Sequence, residues 1–215
     1  MDKVTILGRS SSLFSSILAE LRDENIQKDR LRFRFNLERA GEILAYEISR
    51  SLSYSAKEVI TPLGSLEMQV LSEQPVITSI LRAGLPMHNG FLRMFDHADN
   101  GFISAYRQHT HGNEFIVKVE YMACPDLEDR VLIITDPMIA TGKSLVLSYQ
   151  SLLSYGKPKE VYIAAVLASE AGIEQLKIQL PHAKIFVGEI DRELTAKSYI
   201  VPGLGDAGDL AFGLK

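Results

Sequence analysis

Cysteine is almost absent from this sequence, because Cys124 is the single cysteine among 215 residues. One cysteine excludes an intrachain disulfide and any zinc site built on cysteines, and it fits a reducing compartment. The sequence also lacks a run of about 18 apolar residues, the length that a transmembrane helix needs. The first residues, MDKVTILGRSSS, show neither the apolar core nor the cleavage pattern of a signal peptide. These absences predict a cytoplasmic protein with no membrane partner.

Positive charge is scarce as well. The formal net charge is −4, so no overall basic field would attract nucleic acid, and we predict no nucleic-acid partner. The densest basic run contains Arg30, Arg32, Arg34 and Arg39. We interpret this run as a solvated face or a subunit contact rather than a nucleic-acid-binding arm.

The N-terminal part of the chain favours helices. Apolar residues make up 46% and charged residues 23% of a chain long enough for one sizeable α/β domain. Helical spacing is found over 13–21 and over 35–52, and Asn36 is a candidate cap of the second helix. A weak alternation over 58–71, around Pro62-Leu63-Gly64, predicts a hairpin.

From Pro75 onward the pattern is typical of an α/β sheet. Short runs rich in Val and Ile follow one another: VITSIL, FISAY, FIVKVEY, VLIIT, VYIAAVL and KIFVGEI. Continuous apolar runs predict strands buried on both faces, and helical stretches follow VITSIL and VLIIT. The stretch FISAYRQHTHGNEFIVKVEY predicts a two-stranded arm that turns at His111-Gly112-Asn113. Strands that alternate with helices predict a parallel sheet flanked by helices, with this hairpin appended.

The segment TDPMIATGKS, which follows the predicted strand VLIIT, has two interpretations. It ends in Gly-Lys-Ser as a nucleoside triphosphate loop does, but Pro137 stands where that motif needs its first glycine. A strand that ends at Asp136 and a tight loop that opens a helix would still bind an anion through main-chain amides. Thr141 and Ser144 add hydroxyl groups, and Asp136 can accept hydrogen bonds from sugar hydroxyls. A ribose 5-phosphate site is one interpretation; an ordinary strand–helix turn with local capping is the other.

Two further segments bear on that choice. Arg82 follows the predicted strand VITSIL and could grip a diphosphate, or it could be a surface arginine beside a turn. The residues Gly203–Gly208 match Gly-x-Gly-x-x-Gly, but only seven residues follow them, which excludes a dinucleotide-binding unit. A glycine-rich segment here suits a loop whose main chain touches a flat ligand.

Three segments together resemble the uracil phosphoribosyltransferase family: ILRAGLPMHNGFL, VLIITDPMIATGKS and YIVPGLGDAGDLAFG. The similarity extends from about Leu18 to Lys215. It implies the type I phosphoribosyltransferase fold, a parallel sheet flanked by helices with a β-hairpin arm and a small C-terminal hood. We expect a single domain over 1–215, with an N-terminal helical segment at about 12–55, a core at about 75–190 and a uracil-binding hood at about 191–215.

The resemblance also implies a reaction. Uracil and phosphoribosyl diphosphate would give UMP and diphosphate, a step of pyrimidine salvage, with Mg²⁺ as cofactor. The Mg²⁺ would be held mainly through the diphosphate, and no residue is assigned to it directly. A homodimer or larger assembly through the helical face is expected, and GTP is a candidate effector.

The implied site residues fall into three groups, one for each part of the substrates. Four of these residues would be catalytic: Arg82, Arg107, Asp136 and Asp206. Arg82 and Arg107 would hold the diphosphate end of the donor. Uracil would be held by Ile200, Gly205, Asp206 and Ala207, and Asp206 would also reach the donor or its metal. The ribose and its 5′-phosphate would be held by a continuous loop: Asp136, Pro137, Met138, Ile139, Ala140, Thr141, Gly142, Lys143 and Ser144.

Three residues depart from the family's usual pattern. Lys143 stands where glycine is usual, Gln108 where an acidic residue is usual, and Leu210 where a basic residue is usual. These departures leave an alternative, a non-catalytic regulator that binds phosphoribosyl diphosphate or a nucleotide on the same fold. A transferase for another base is a third alternative, which the YIVPGLGDAGD segment argues against.

Overall fold

The computed structural model describes residues 3–109 and 115–214, with the main chain alone at 105–109 and 115–119. The N-terminal part contains the short strand β1 (Val4–Ile6) and two helices, α1 (Leu13–Arg22) and α2 (Arg30–Ser49). Both predicted helices are confirmed, but α2 begins earlier than predicted. Its cap is Asp29, whose carboxylate accepts hydrogen bonds from the amides of Leu31 at 2.9 Å and Arg32 at 3.1 Å.

Asn36 as a cap is therefore wrong. It lies inside α2, is 1% exposed, and donates from Nδ2 to Oε2 of Glu20 at 2.8 Å. The densest basic run lies on the same helix. Arg32 pairs with Glu20, and Arg34 donates to the carbonyl of Ala211 at 2.8 Å. The run therefore makes contacts within this chain.

The remaining elements follow in chain order. A hairpin, β2 (Tyr54–Thr61) and β3 (Gly64–Leu71), turns at Pro62 and Leu63, as predicted. The strands that follow are β4 (Val76–Leu81), β5 (Asp99–His109), β6 (Phe115–Ala123), β7 (Val131–Thr135), β8 (Met138–Ile139), β9 (Glu160–Ser169), β10 (Lys184–Asp191), β11 (Glu193–Leu194) and β12 (Ile200–Val201). The helices that follow are α3 (Gly84–Met94), α4 (Lys143–Leu152), α5 (Glu170–Gln179) and α6 (Ala207–Phe212).

The central sheet has the order β1-β10-β9-β7-β4-β5-β6, with β8 beside β9. Among the described residues its strands pair in parallel except β5 and β6, which pair antiparallel. The predicted α/β fold with a parallel sheet flanked by helices is confirmed. The antiparallel pair is the predicted arm, and the turn predicted at His111–Asn113 lies outside the described residues.

The apolar strands are buried on both faces, as their continuous runs predict. Neighbouring residues of β7 belong to different hydrophobic clusters: Ile133 packs with α1, α2 and α3, whereas Leu132 packs with α4 and α5. Full burial of each such side chain contributes about 1.5–3 kcal/mol. The helices therefore cover both faces of the sheet and leave the ends of its strands accessible for binding.

One edge of the sheet collects polar residues. The parallel strands β4, β7 and β10 end at the same edge, and Arg82, Asp136 and Asp191 lie at those three ends. The register pairs Ser79 of β4 with Thr135 of β7, so Arg82 and Asp136 follow neighbouring strands at nearly the same level. In open α/β sheets ligands bind at this carboxyl edge. Among the described helices none is long and apolar enough to cross a membrane.

Candidate functional site

The loop between β7 and α4 encloses a small cavity. The lining residues are Asp136, Met138, Ile139, Ala140, Thr141, Gly142, Ser144 and Leu145. Gly142 has φ +71° and precedes the first turn of α4, so main-chain amides and the positive end of the helix lie at this cavity. The structure thus brings together most of the residues predicted to hold a 5′-phosphate.

Pro137 has a different task. Its carbonyl accepts hydrogen bonds from the amides of Val166 at 3.1 Å and Leu167 at 3.0 Å in β9. The loop is thereby joined to the sheet at the position where a triphosphate loop would carry glycine. A proline supplies no N–H to a phosphate, and here it serves as an acceptor for the neighbouring strand.

Helix α5 supports the loop from behind, which the sequence did not reveal. Ser169 caps α5 by accepting from the amide of Gly172 at 2.9 Å, and its hydroxyl donates to the carbonyl of Ala140 at 2.5 Å. A Cβ on Gly172 would lie 2.5 Å from that same carbonyl oxygen, so a side chain there would displace the loop. Helix α5 therefore holds the main chain of the β7–α4 loop at Ala140.

Asp136 stands at the entrance of the loop. Its Oδ1 accepts from the amide of Met138 at 3.2 Å, and its own amide donates to the carbonyl of Ala164 at 3.1 Å. The local turn that the sequence left open is therefore present, and the same carboxylate also lines the cavity. The local turn is thus observed, and the ribose 5-phosphate site stays a prediction.

Arg82 connects the β4 edge to the C-terminal segment. Its Nη2 donates to Oδ1 of Asp209 and to the carbonyl of Gly213, both at 3.2 Å. A Cβ on Gly208 would lie 4.0 Å from the same nitrogen. The Leu81–Arg82 peptide bond is cis. A cation predicted to bind diphosphate thus lies against the segment predicted to bind uracil.

The C-terminal residues form the hood. Strands β11 and β12 pair antiparallel, and α6 begins after Asp206, whose Oδ1 accepts from the amide of Asp209 at 3.0 Å. Gly203 and Gly205 have φ of +60° and +95°, which favours glycine at both positions. The hood therefore contains an unusual main-chain path at these two glycines.

The hood and the phosphate loop share one hydrophobic cluster. Ile200 and Ala207 are buried in it, and Met138 and Ala140 of the phosphate loop pack against it. Because the side chains of Ile200 and Ala207 face this cluster, only their main-chain atoms remain for a ligand. Ala140 and Ile200, which are 60 residues apart in the sequence, are thereby held in one cluster.

Two of the departures from the family pattern have a simple structural context. Lys143 is the exposed first residue of α4, and its amide lies 3.4 Å from the hydroxyl of Thr141. Among the described residues only Asp129 and Ser198 combine positive φ with a side chain, so Lys143 strains no backbone. Leu210 packs against the cluster under the hood. The side chains of Arg107 and Gln108 lie outside the described residues, so their predicted roles stay predictions.

Carboxylates at the site are few. Within residues 3–109 and 115–214, no group of three or more His, Cys, Asp or Glu residues could hold a metal ion. Asp136 and Asp206 are separate carboxylates on the loop and the hood. Mg²⁺ is commonly held by one or two carboxylates together with substrate phosphates, and the oxygens present here fit that mode.

The sequence missed three residues that shape the hood. Asp209 pairs with Arg82, and Asp191 pairs with Arg22 and with the main chain of Gly203. Asp191 could have been found by the rule that identified Asp136, since it also ends a buried strand at the carboxyl edge. Arg22 gives no such signal, because its partner lies 169 residues away.

An anion-binding loop, an arginine and a glycine-rich hood at the carboxyl edge of a parallel sheet define an α/β protein that binds a phosphorylated, nucleotide-like ligand. The family model described as uracil phosphoribosyltransferase matches residues 9–214. The chain therefore belongs to the uracil phosphoribosyltransferase family, as its motifs indicated.

Individual relatives agree with this assignment. The uracil phosphoribosyltransferase of Porphyromonas gingivalis is 48% identical over 214 residues, which cover 99% of each chain. That of Thermococcus gammatolerans is 39% identical over 206 residues, 94% of this chain and 90% of its own. Among solved structures, the AQ2163 protein from Aquifex aeolicus superimposes with a TM-score of 0.87 at 29% identity, covering 98% of both chains.

Proposed function

We propose that this enzyme transfers the 5-phosphoribosyl group from phosphoribosyl diphosphate to uracil, giving UMP and diphosphate. Relatives named for uracil phosphoribosyltransferase activity span almost the whole chain. The observation that carries the proposal is the contact of Arg82 with the hood at Asp209 and Gly213. This contact brings the residue expected to bind diphosphate next to the segment expected to bind uracil. Transfer of the phosphoribosyl group from diphosphate to uracil requires the two binding sites to be adjacent.

The ribose phosphate end of the donor belongs in the cavity of the β7–α4 loop. Main-chain amides around Gly142 and the N-terminus of α4 would bind the 5′-phosphate, and the carboxylate of Asp136 would accept hydrogen bonds from the ribose hydroxyls. Because α5 fixes this loop through Ser169, binding requires little rearrangement. Such prior ordering reduces the entropy lost when the donor binds.

The reaction breaks the bond between the anomeric carbon and the diphosphate oxygen and forms a bond from that carbon to N1 of uracil. The proton of N1 passes to the released diphosphate or to water. Positive charge develops on the ribose and negative charge on the diphosphate. Arg82 is proposed to stabilise the leaving diphosphate, and Arg107 to share that role. No covalent nucleophile is needed for this chemistry.

Mg²⁺ is proposed as the cofactor, held through the diphosphate oxygens with Asp206 as the protein carboxylate on the hood. The chemistry that it supplies when bound is neutralisation of the leaving group's charge. Asp206 also caps α6 by accepting from the amide of Asp209, which fixes the direction of its carboxylate.

Uracil is proposed to bind the main chain of the hood. Its ring presents N–H and C=O groups in one plane, and we expect main-chain groups at Ile200 and over 205–207 to match them. The side chains of Ile200 and Ala207 are buried, so they would not obstruct this edge. A site that hydrogen-bonds the C4 carbonyl of uracil would reject cytosine, which carries an amino group there.

A direct assay tests this function. Purified protein incubated with labelled uracil, phosphoribosyl diphosphate and Mg²⁺ is expected to form labelled UMP. Donor binding by calorimetry without turnover would overturn the enzymatic function in favour of a regulator. Turnover with a purine alone would overturn the assignment of uracil. Asp136→Asn is expected to raise the KM for the donor and to lower activity, and unchanged kinetics would contradict the role given to Asp136.

Self-association is proposed as well, and two surfaces support it. The β2–β3 hairpin pairs only with itself in the described sheets, and it exposes Ile60 and Leu63 at 84% and 100%. An isolated hairpin of this kind has little stability in water, so a second copy of the chain is a suitable cover. On the helical face, Leu31, Phe35 and Phe212 line an apolar groove.

The oligomeric state is measurable by analytical ultracentrifugation. The wild type is expected to sediment as a dimer or larger, and Leu63→Lys is expected to shift it toward monomer. Ile178→Lys is the control, since Ile178 is also apolar and is 70% exposed but lies on α5. A monomeric wild type would overturn the proposal. The expected cytoplasmic location and the candidate GTP effector stay predictions.

A further inference from the structure

One ion pair grips both polar main-chain groups of a hood residue. The carboxylate of Asp191, at the end of β10, accepts two hydrogen bonds from Arg22, Nη1 to Oδ2 and Nη2 to Oδ1, both at 2.8 Å. The same Oδ2 accepts from the amide of Gly203 at 2.9 Å. The same Nη1 of Arg22 donates to the carbonyl of Gly203 at 2.9 Å. The N–H and the C=O of Gly203 are thus both bound by a single arginine–carboxylate pair.

The conformation and surroundings of Gly203 allow only glycine at this position. It is buried, it has φ +60°, and a Cβ at this position would collide with the carbonyl of Ile200. The residue therefore stays glycine for two reasons, its conformation and the lack of space. With both polar groups bound, the orientations of the peptide units on either side of Gly203 are set by Arg22 and Asp191.

The ion pair is largely buried, unlike an ordinary surface salt bridge. Asp191 is 7% exposed, and the bidentate geometry is the strong form of an arginine–carboxylate contact. A buried ion pair contributes little net stability compared with apolar packing, but removal of one partner leaves a buried charge without compensation. Its benefit here is a defined conformation, because it binds both peptide groups of a residue that has no side chain of its own.

We propose that Arg22 and Asp191 are positioning residues that set the affinity for uracil without touching it. This inference rests on the proposed function, in which main-chain atoms at Ile200 and over 205–207 bind the base. Gly203 lies between these two parts of the hood, so its orientation determines where the amides and carbonyls on either side of it point. Arg22 belongs to α1, so the N-terminal helix contributes to the specificity of a site formed by the C-terminus.

The test compares two arginine-to-lysine substitutions, one in α1 and one in α2. Arg22→Lys retains the charge but loses the bidentate contact and the simultaneous bond to Gly203. Arg32→Lys is the matched control, because Arg32 makes a bidentate pair with Glu20, at 2.8 Å and 2.9 Å, that does not involve the hood. Steady-state kinetics give separate KM values for uracil and for phosphoribosyl diphosphate.

Arg22→Lys is expected to raise the KM for uracil by about 10- to 100-fold and to change that for the donor by less than about twofold, since small displacements of a binding group have effects of this size. Arg32→Lys is expected to leave both KM values at the wild-type level. Hydrogen exchange of a peptide over 200–207 is expected to quicken in Arg22→Lys only. A merely structural ion pair would not separate the two substrates in this way.

The failures are distinguishable. A wild type that forms no UMP would overturn the proposed function, and with it this inference. An active Arg22→Lys whose two KM values rise together, or whose exchange over 200–207 is unchanged, would overturn the inference and leave the function intact. If Arg22→Lys does not fold, Asp191→Asn is measured in its place, because it keeps an oxygen for the Gly203 amide and loses the charge. An unchanged KM for uracil there overturns the inference equally.

Discussion

Replacement of Gly142 by alanine tests whether the main chain of the β7–α4 loop binds phosphate. Gly142 has φ +71°, and a side chain in this left-handed region costs about 1–2 kcal/mol. The new Cβ would also lie 3.0 Å from the carbonyl oxygen of Gly172, so the loop or α5 must shift. The free energy of unfolding should fall by about 1–2 kcal/mol, which for a chain of this size lowers the Tm by about 2–8 °C.

The effect of Gly142→Ala on substrate affinity should be specific. A shifted loop would lose at least one charge-assisted hydrogen bond to the 5′-phosphate, which is about 1.5–3 kcal/mol. That loss corresponds to a roughly 10- to 140-fold higher KM for phosphoribosyl diphosphate. The KM for uracil should change little, because the hood contributes separate main-chain groups.

A matched control separates binding from stability. Gly156 also has positive φ, +118°, and a Cβ there would lie 2.5 Å from the amide nitrogen of Glu128. It precedes β9, at the opposite edge of the sheet from the loop. Thermal unfolding and kinetics of both alanine variants are measured together. If Gly142→Ala lowers the Tm and leaves the KM for the donor at the level of Gly156→Ala, the loop does not bind the phosphate.

Two further predictions concern the hood and the N-terminal helices. Gly205→Ala meets no atom closer than 3.7 Å, but φ +95° strains it, so the KM for uracil should rise in steady-state assays while that for the donor stays constant; an effect on the donor alone would contradict the hood's role. The hydrogen bond from Arg32 holds the pKa of Glu20 at about 2, below its ordinary 4.5. The stability that this carboxylate contributes is present above pH 4.5 and lost as the pH falls toward 2. The free energy of unfolding of Glu20→Gln, measured in urea, should therefore depend less on pH across that window than that of the wild type. The same pH dependence in both proteins would contradict the assignment.

Much of the fold follows from the pattern of apolar residues. The continuous apolar runs of β4, β7 and β9 predicted strands buried on both faces. Successive side chains of a strand point to opposite faces of the sheet, so a strand covered on both faces is largely apolar along its whole length. The N-terminus of α2 was missed for a related reason. Its first six residues, RLRFRF, mix charged with apolar side chains, and the helical stripe is recognisable only from Phe35 onward. The three residues of β1 are too short to show any period.

The site was predictable where it is local and was not where it is assembled from distant segments. Pro137 excluded a triphosphate loop from the sequence alone, and the structure gives its carbonyl to β9. The pairing of Arg22 with Asp191 depends on how α1 packs beside the end of β10. That packing follows from the burial of whole helix faces, so no short stretch of sequence contains it.

The departures at Lys143 and Leu210 follow from how the site is constructed. Both segments would present main-chain groups to the ligand, so the side chains at these positions are released from direct recognition. Lys143 occupies the first exposed position of α4 without positive φ, and Leu210 packs beneath the hood. Gly142 and Gly205 have no such freedom, because their φ values define the path of the chain. The main-chain path of these two segments is therefore constrained more by Gly142 and Gly205 than by the side chains at positions 143 and 210.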